Sequence, residues 1–196
     1  MSNFKAIEVK VLLSILLSSL LEQMVSKNKK IVETQLNRSL RSKVDVVASC
    51  HFNLPAVIKV PSNLDDGTPF PTSYWLTCPM YNKKVGSLES QGLIKELDKQ
   101  LNENKDLNQK WAERQKSYEE ERNRENKNKE NLINPTGGVG GAKESIKCLH
   151  SHLADELATQ KNIIGKIVLE SVGSFNCEEP CIDENLNKNI KWKSKW

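Results

Sequence analysis

Between residues 44 and 77, apolar and β-branched residues come in three short runs separated by turn-forming segments. The runs are VDVVAS (44–49), PAVIKVP (55–61) and TSYWLT (72–77). The segment NLDDGTPFP (63–71) contains Asp-Gly and two prolines, which favour a turn or loop. The pattern predicts a small antiparallel sheet over about residues 44–77.

After Pro79 the apolar positions recur at helical spacing. Pro79 suits the first position of a helix, and Gly92 suits the position just beyond its end. The apolar stripe continues in a second helix with Leu93, Leu97 and Leu101. One face of a third helix is shared by Leu107, Trp111, Arg114 and Tyr118. Residues 119–131 contain no apolar side chain and are expected to form a loop or a frayed helix end. The predicted fold class is α+β, with several helices packed against the sheet.

The N-terminus carries an apolar run of eleven residues, VLLSILLSSLL (11–21). It is shorter than the about 20 residues that span a bilayer, so no membrane span is expected. Met24 as the true start ranks first, an accessory amphipathic helix second, and a secretion signal third because Glu8 precedes the run. The predicted organisation is an N-terminal extension (1–27), a single domain (28–182) and a basic tail (183–196), whose stretch NKNIKWKSKW (187–196) we expect to be a frayed terminus.

Composition excludes few function classes. The chain of 196 residues has 37% hydrophobic and 28% charged residues and a net charge of +4, which gives no strong nucleic-acid signal. Its five cysteines are an odd number in a chain without a credible export signal, which argues against a disulfide scaffold and favours the cytoplasm. In a reducing compartment, cysteines serve as buried apolar residues, catalytic thiols or metal ligands.

The segment NPTGGVGGAKES (134–145) is rich in glycine, but it does not fit a phosphate-binding P-loop. Such a loop needs Gly-Lys followed by Ser or Thr, whereas Lys143 lies between Ala142 and Glu144. We expect a turn that lets the backbone pass close to another element.

The segment IKCLHSHLADEL (146–157) concentrates one cysteine, two histidines and two carboxylates. On a regular helix, Cys148 and His152 share one side, at the i, i+4 spacing of two metal ligands. His150 falls at the edge of the leucine stripe, nearly opposite Cys148. A metal site, a Cys–His nucleophile pair and an ordinary amphipathic helix are all compatible with these residues.

Several motifs together resemble the bacterial family called domain of unknown function 501. They are DDGTPFPTSYWLTCP (65–79), GGVGGAKESIKCLHSHLADELAT (137–159), the NIIGK that follows, SLESQG (87–92) and IVETQLNRSLR (31–41). The resemblance covers about residues 28–181. Members in some bacteria are encoded near enolase, a septum-formation initiator and an exopolyphosphatase.

The resemblance implies a site but no activity. Its motif cysteines correspond to Cys50, Cys78, Cys148 and Cys181, with His150 in KCLH and His152 as a competing partner, which is similar to a four-ligand metal site. The implied cofactor is an iron–sulfur cluster or zinc. Two alternatives stay open: a Cys/His-dependent enzyme acting on an anionic substrate, and a non-catalytic interaction protein linked to cell division. Whether the protein is an enzyme is left undecided, and its partners are not indicated beyond a protein partner in the last alternative.

Overall fold

The structure, a computed structural model, describes residues 2–124, 126, 133–173 and 175–194, with side chains from residue 14 onward. Its elements are α1 (Ser2–Leu36), β1 (Asp45–Ser49), β2 (Pro55–Lys59), β3 (Tyr74–Leu76), α2 (Pro79–Ser90), α3 (Leu93–Glu103), α4 (Lys105–Arg124), a 3₁₀ turn (Val139–Gly141), α5 (Leu149–Thr159) and α6 (Ile163–Val172). The predicted α+β class, with a small antiparallel sheet followed by packed helices, is confirmed.

The sheet has the strand order β1-β2-β3 and is antiparallel throughout. β2 is its central strand, with a nearly continuous apolar run that is buried from Pro55 to Ile58. In the register, Val57 lies opposite Leu76 of β3 and Asp45 opposite Lys59. Burial of β2 on both sides explains why its sequence does not alternate between apolar and polar residues.

The main core lies between the sheet and the helices. α5 packs against β3 and α6, with Leu149 and Leu153 fully buried. Gly165 lets α6 approach α5 closely, because an added Cβ would collide with the carbonyl oxygen of His152 and come within 2.6 Å of the Cβ of Glu156. The position of α5 therefore depends on a glycine in the neighbouring helix.

A buried ion pair also holds α5. Arg114 on α4 donates from Nε and Nη2 to the two carboxylate oxygens of Asp155, at 2.8 and 2.7 Å. Burial alone would lower the pKa of Arg114, but the hydrogen bonds and charge of Asp155 raise it overall. Asn162, at the N-cap of α6, also donates to Asp155 at 2.8 Å. The pair is bidentate and almost fully buried, so it fixes the distance between α4 and α5.

The glycine-rich segment passes close to α4, as the sequence predicts. At Gly138 an added Cβ would lie 2.8 Å from the Cα of Gln115, and the Gln115 side chain accepts a hydrogen bond from the Val139 amide at 2.6 Å. Arg122 donates to the carbonyl oxygens of Pro71 and Gly137, both at 2.8 Å, and to that of Pro135. These hydrogen bonds explain why α4 continues from residue 119 to Arg124, a stretch that contains no apolar residue. In the rest of the expected loop, residue 126 is described, and residues 125 and 127–131 fall outside the described residues.

The C-terminal tail is more ordered than expected. Ile182 and Lys188 form an isolated antiparallel bridge, and Asp183 accepts hydrogen bonds from the amides of Asn185 and Asn187. Trp192 packs half-buried against the cluster that contains Met80. Apolar contact and a tight Asp-centred turn, rather than regular secondary structure, hold the tail, so the prediction of fraying is wrong for its described part.

Among the side chains of α1 that the structure describes, from residue 14 onward, the buried ones lie near its C-terminal end, at Ile31 and Val32. Upstream it exposes large apolar side chains, among them Leu17, Leu20 and Leu21. Within the described part of the chain, no helix is long and apolar enough to cross a membrane.

Candidate functional site

The antiparallel sheet brings Cys50 and Cys78 to the same end. β1 and β3 both pair antiparallel with β2 and so run in the same direction. The residues that follow these two strands therefore lie at the same end of the sheet. Cys50 follows β1 in the hairpin turn, where its amide donates to the carbonyl of Leu54 at 3.0 Å. Cys78 follows β3, and its amide donates to the carbonyl of Ala56 at 3.3 Å. Both cysteines therefore flank the first residues of β2.

Two more cysteines reach this end of the sheet from the segment after α6. The Nε2 atom of His51 lies 3.0 Å from the carbonyl oxygen of Cys177, and Gln35 donates from its side chain to the Sγ of Cys181 at 3.6 Å. The thiols surround one cavity of about 240 Å³ and none of them is in a disulfide. We name it the cysteine cavity, after its residues Cys50, Cys78, Cys177 and Cys181.

Burial dominates the electrostatics of the cysteine cavity. It raises the pKa of the Cys78 thiol to about 11, and the neighbouring Cys181 and Cys50 add to the increase. The amides of Tyr81 and Met80, in the first turn of α2, act in the opposite direction. Burial also raises the pKa of Cys181. Cys78 and Cys181 are therefore protonated at neutral pH, and a metal that binds them has to displace their protons.

The spacing of the thiols is wider than a single zinc ion requires. Tetrahedral zinc lies about 2.3 Å from each sulfur, which puts its thiolates about 3.8 Å apart. Among the described residues, the one group of three or more cysteine, histidine or acidic side chains with all ligand atoms within 4.8 Å is Glu89, Cys148 and His150. No three thiols of the cysteine cavity therefore lie within 4.8 Å of one another, and a single ion bound by three of them would require the thiols to move inward.

Cys148 lies in a different cavity. It is the N-cap residue of α5, with an extended backbone (φ −155°, ψ 115°), and the helix begins at Leu149. The helical-wheel interpretation, which separated Cys148 from His150 and paired it with His152, is therefore wrong: Cys148 is not part of the helix. Its ligand atom lies within 4.8 Å of those of His150 and Glu89.

We name this second cavity the Cys148 pocket. It has a volume of about 320 Å³, and it is lined by Leu36, Arg38, Tyr74, Trp75, Leu76, Asn82, Cys148, His150 and Ser151. Glu89 lies behind the histidine, with Oε1 at 3.2 Å from Nδ1 of His150, and the same oxygen accepts a hydrogen bond from the Leu149 amide at 2.7 Å. A residue of α2 thus caps α5 and contacts its first histidine.

The electrostatics of the Cys148 pocket are opposite to those of the cysteine cavity. Burial alone would raise the pKa of the Cys148 thiol, but its hydrogen bond with His150 and the amide and hydroxyl of Ser151 lower it overall. The same interaction with Cys148 raises the pKa of His150 to about 9, against burial, and the charge of Glu89 adds to the increase. The two groups favour a thiolate beside an imidazolium.

His152, the other histidine of the predicted metal set, is buried in the core. Its Nδ1 lies 3.0 Å from Oδ1 of Asn162, and burial lowers its pKa. Its Nε2 has no hydrogen-bond partner among the described residues. His152 lines neither the cysteine cavity nor the Cys148 pocket.

The structure therefore divides the predicted ligand set. It brings together Cys50, Cys78 and Cys181, and it places Cys148 with His150 elsewhere. Sequence reasoning gave no role to Cys177, although its spacing of four residues from Cys181 was a usable signal. It missed Glu89 as well, which only the packing of α2 against α5 brings to the histidine.

Comparison with known proteins identifies a family. The family model described as Protein of unknown function (DUF501) matches residues 46–170, which is well over half of the chain. The match includes Cys50, Cys78 and Cys148 and ends before the last two cysteines. No curated protein and no solved structure matches the chain. The match confirms the resemblance seen in the sequence motifs, and the chain belongs to the DUF501 family.

Proposed function

We propose that the protein binds a thiolate-ligated metal centre in the cysteine cavity. The observation that carries this proposal is the convergence of four free cysteines on one cavity from the β1–β2 turn, the end of β3 and the segment after α6. Cysteines from separate segments rarely gather by chance, and soft thiolates favour zinc or iron–sulfur clusters. Cys177 takes the fourth position that the resemblance assigned to Cys148.

The spacing favours an iron–sulfur cluster over one zinc ion. A cluster places several metal atoms and sulfides between its thiolate ligands and holds them further apart than a single ion does. The absence of a trio of cavity thiols within 4.8 Å among the described residues agrees with the larger group. When bound, such a cluster supplies one-electron transfer or a structural cross-link.

The surroundings of the thiols suit negatively charged ligands. The amides of Met80 and Tyr81 lower the pKa of Cys78, and the Gln35 side chain donates to Cys181. N–H groups directed at cysteine sulfurs stabilise the thiolate form and tune the reduction potential of a cluster. The buried Oε1 of Gln35 lacks a hydrogen-bond partner in the described part of the chain, which marks this side of the cavity as incompletely satisfied.

The test is metal, iron and sulfide analysis, with a visible absorption spectrum, of the full chain purified without oxygen. We expect near-stoichiometric binding of a centre that contains iron and sulfide. The variants Cys50→Ser and Cys181→Ser should each lose most of it. Cys148→Ser is the matched control, since it removes a half-buried cysteine from the other cavity, and it should keep the centre.

Two results would contradict the proposal. One is folded wild-type protein that holds neither iron nor zinc under these conditions. The other is equal loss of the centre in Cys148→Ser and in Cys50→Ser, which would show that the cysteine cavity is not the site. Stoichiometric zinc without sulfide would keep the thiolate site and overturn the preference for a cluster.

A further inference from the structure

The Cys148 pocket is separate from the proposed metal centre, and its groups are arranged differently. Cys148 is half-buried at the N-terminal end of α5, and its sulfur lies within 4.8 Å of a ring nitrogen of His150 and an oxygen of Glu89. Gly140, in the glycine-rich segment, lies beside it, because an added Cβ there would lie 3.8 Å from the Cβ of Cys148. The thiol therefore lies where α5, α2 and the glycine-rich segment meet.

His150 is held in its doubly protonated form by acceptors on both ring nitrogens. Nδ1 lies 3.2 Å from the carboxylate of Glu89, and Nε2 lies 3.2 Å from the carbonyl oxygen of Asn82. A carbonyl can only accept, so Nε2 carries a proton, and the carboxylate favours a proton on Nδ1 as well. An imidazole must offer a lone pair to bind a metal, so this geometry suits an imidazolium better than a metal ligand.

The remaining lining groups favour an anion. Arg38 lines the pocket, with its guanidinium carbon 4.0 Å from the centroid of the Trp75 ring. The charged and titratable groups that face the Cys148–His150 pair are Arg38 beyond α1, Glu89 on α2 and Tyr74 on β3. One oxygen of the Glu89 carboxylate, Oε1, is occupied by both His150 and the Leu149 amide. The positive groups near the pair are then Arg38, which lines the pocket, and the N-terminus of α5.

We propose that Cys148 and His150 form a nucleophilic thiolate–imidazolium pair, positioned by Glu89, for small electrophilic substrates that carry a carboxylate or a similar anionic group. In the reaction the sulfur lone pair forms a bond to the electrophilic carbon, and the bond from that carbon to its leaving group breaks. The leaving group departs with the bonding electron pair. The thiol proton already resides on His150, which can protonate a basic leaving group.

Carboxymethylation with iodoacetate provides a defined probe of this step. The thiolate attacks the methylene carbon and iodide leaves with the electron pair, so no other reactant is needed. Iodoacetamide is the neutral probe of the same size. The rate at Cys148 is measured by peptide mass spectrometry on the full chain, for both reagents, in the wild type and in His150→Gln. His51→Gln is the matched control, because His51 lies at the cysteine cavity.

An unshifted thiol is only a few per cent thiolate at pH 7, so loss of the pair should slow the reaction of Cys148 by about tenfold or more. We expect this loss in His150→Gln and no change in His51→Gln. The ratio of the iodoacetate rate to the iodoacetamide rate should fall in Arg38→Gln. If His150→Gln fails to fold, the wild-type pH profile still decides. The rate at Cys148 should begin to fall at a lower pH than the rates of the thiols in the urea-unfolded chain, which slow steadily below about pH 8.5.

Three outcomes would overturn the proposal. The first is a wild-type pH profile at Cys148 that matches the unfolded chain. The second is an equal rate in the wild type and in folded His150→Gln. The third is protection of Cys148 by metal in the protein as purified, with reactivity restored by a chelator, which would make Glu89, Cys148 and His150 a metal site instead.

Discussion

The cysteine cavity and the Cys148 pocket present the same functional group in opposite electrostatic settings. In the first, burial and neighbouring thiols raise the pKa of Cys78 and Cys181. In the second, an imidazolium and the N-terminus of α5 lower the pKa of Cys148 in spite of burial. Thiols of the first kind keep their protons at neutral pH until a cation replaces them, and a thiol of the second kind loses its proton more readily and so is closer to the nucleophilic thiolate form.

This contrast explains why the predicted metal site, which combined Cys148 with Cys50, Cys78 and Cys181, joins two kinds of thiol with different chemistry. A cluster of thiols without a nearby cation gains most from a metal, because the metal supplies the missing positive charge. A thiol beside His150 and Glu89 has its counter-charge within the protein. The partner group, more than the cysteine itself, decides the function of each site.

Removal of the buried carboxylate charge of α5 should have the largest effect. It disturbs the helix that carries His150 and Ser151 of the Cys148 pocket, and Asp155 itself lines neither cavity. Asp155→Asn removes the bidentate partner of the almost fully buried Arg114 and leaves the partly exposed Glu121, 3.1 Å from Nη1, as a carboxylate partner. We expect the free energy of unfolding to fall by about 3–5 kcal/mol. Urea unfolding followed by circular dichroism measures it.

Asp106→Asn is the control for this variant, because Asp106 pairs with Lys110 on the exposed face of α4. Its cost should stay below about 1 kcal/mol. Similar losses in the two variants would show that the Arg114–Asp155 pair does not hold α5.

The close approach of α6 to α5 offers a second way to disturb the Cys148 pocket. In Gly165→Ala the new methyl group meets the backbone of His152, so the helices have to separate, at a cost of about 1–3 kcal/mol. Gly86→Ala is the matched control, since nothing lies within 4 Å of an added Cβ in the middle of α2, and it should stabilise the protein by about 0.5–1 kcal/mol. Thermal unfolding of the pair of variants checks the sign of both changes. Two changes of the same sign would be inconsistent with the packing described.

The histidines of α5 sharpen the comparison through pH. His150 should titrate near pH 9, whereas His152, kept neutral by burial, should titrate below its ordinary pKa of 6.5. A lowered folded pKa means that the unfolded chain binds the proton more readily. The contribution of His152 to stability is therefore present above pH 6.5 and is lost as the pH falls below it, by up to about 1.4 kcal/mol per pH unit.

Proton NMR titration of the ring resonances measures both midpoints. The same titration of His150→Gln identifies the resonance that belongs to His150. Midpoints near 6.5 for both residues would remove the electrostatic distinction between the two sides of α5.

Local patterns were sufficient to predict the sheet and the helices α2 to α5, but not α6, and a helix at the N-terminus ranked only second among the interpretations. The β-branched runs and the Asp-Gly-Pro turn predicted β1, β2 and β3 at nearly their observed bounds, and Pro79 marked the start of α2. The face shared by Trp111, Arg114 and Tyr118 is buried as expected. These features depend on periodicity and turn chemistry, which short segments of sequence contain.

The arrangement of the sites depended on contacts that no local pattern contains. The helical wheel failed at Cys148 because the helix begins one residue later, where Glu89 from another helix caps the Leu149 amide. The partnership of Arg114 with Asp155 joins residues 41 positions apart. The convergence of Cys50 and Cys78 with the C-terminal cysteines follows from the direction of β1 and β3 and from the packing of the tail.

The most direct test of the contrast is the alkylation pattern of all five cysteines in anaerobically purified protein, before and after removal of metal with a chelator. We predict that Cys148 reacts faster than the other cysteines in both states, while Cys50, Cys78, Cys177 and Cys181 gain accessibility when the metal is removed but still react more slowly than Cys148. Metal-dependent protection of Cys148 as well as those four would contradict the account, since it would make Cys148 a metal ligand and not a free nucleophile.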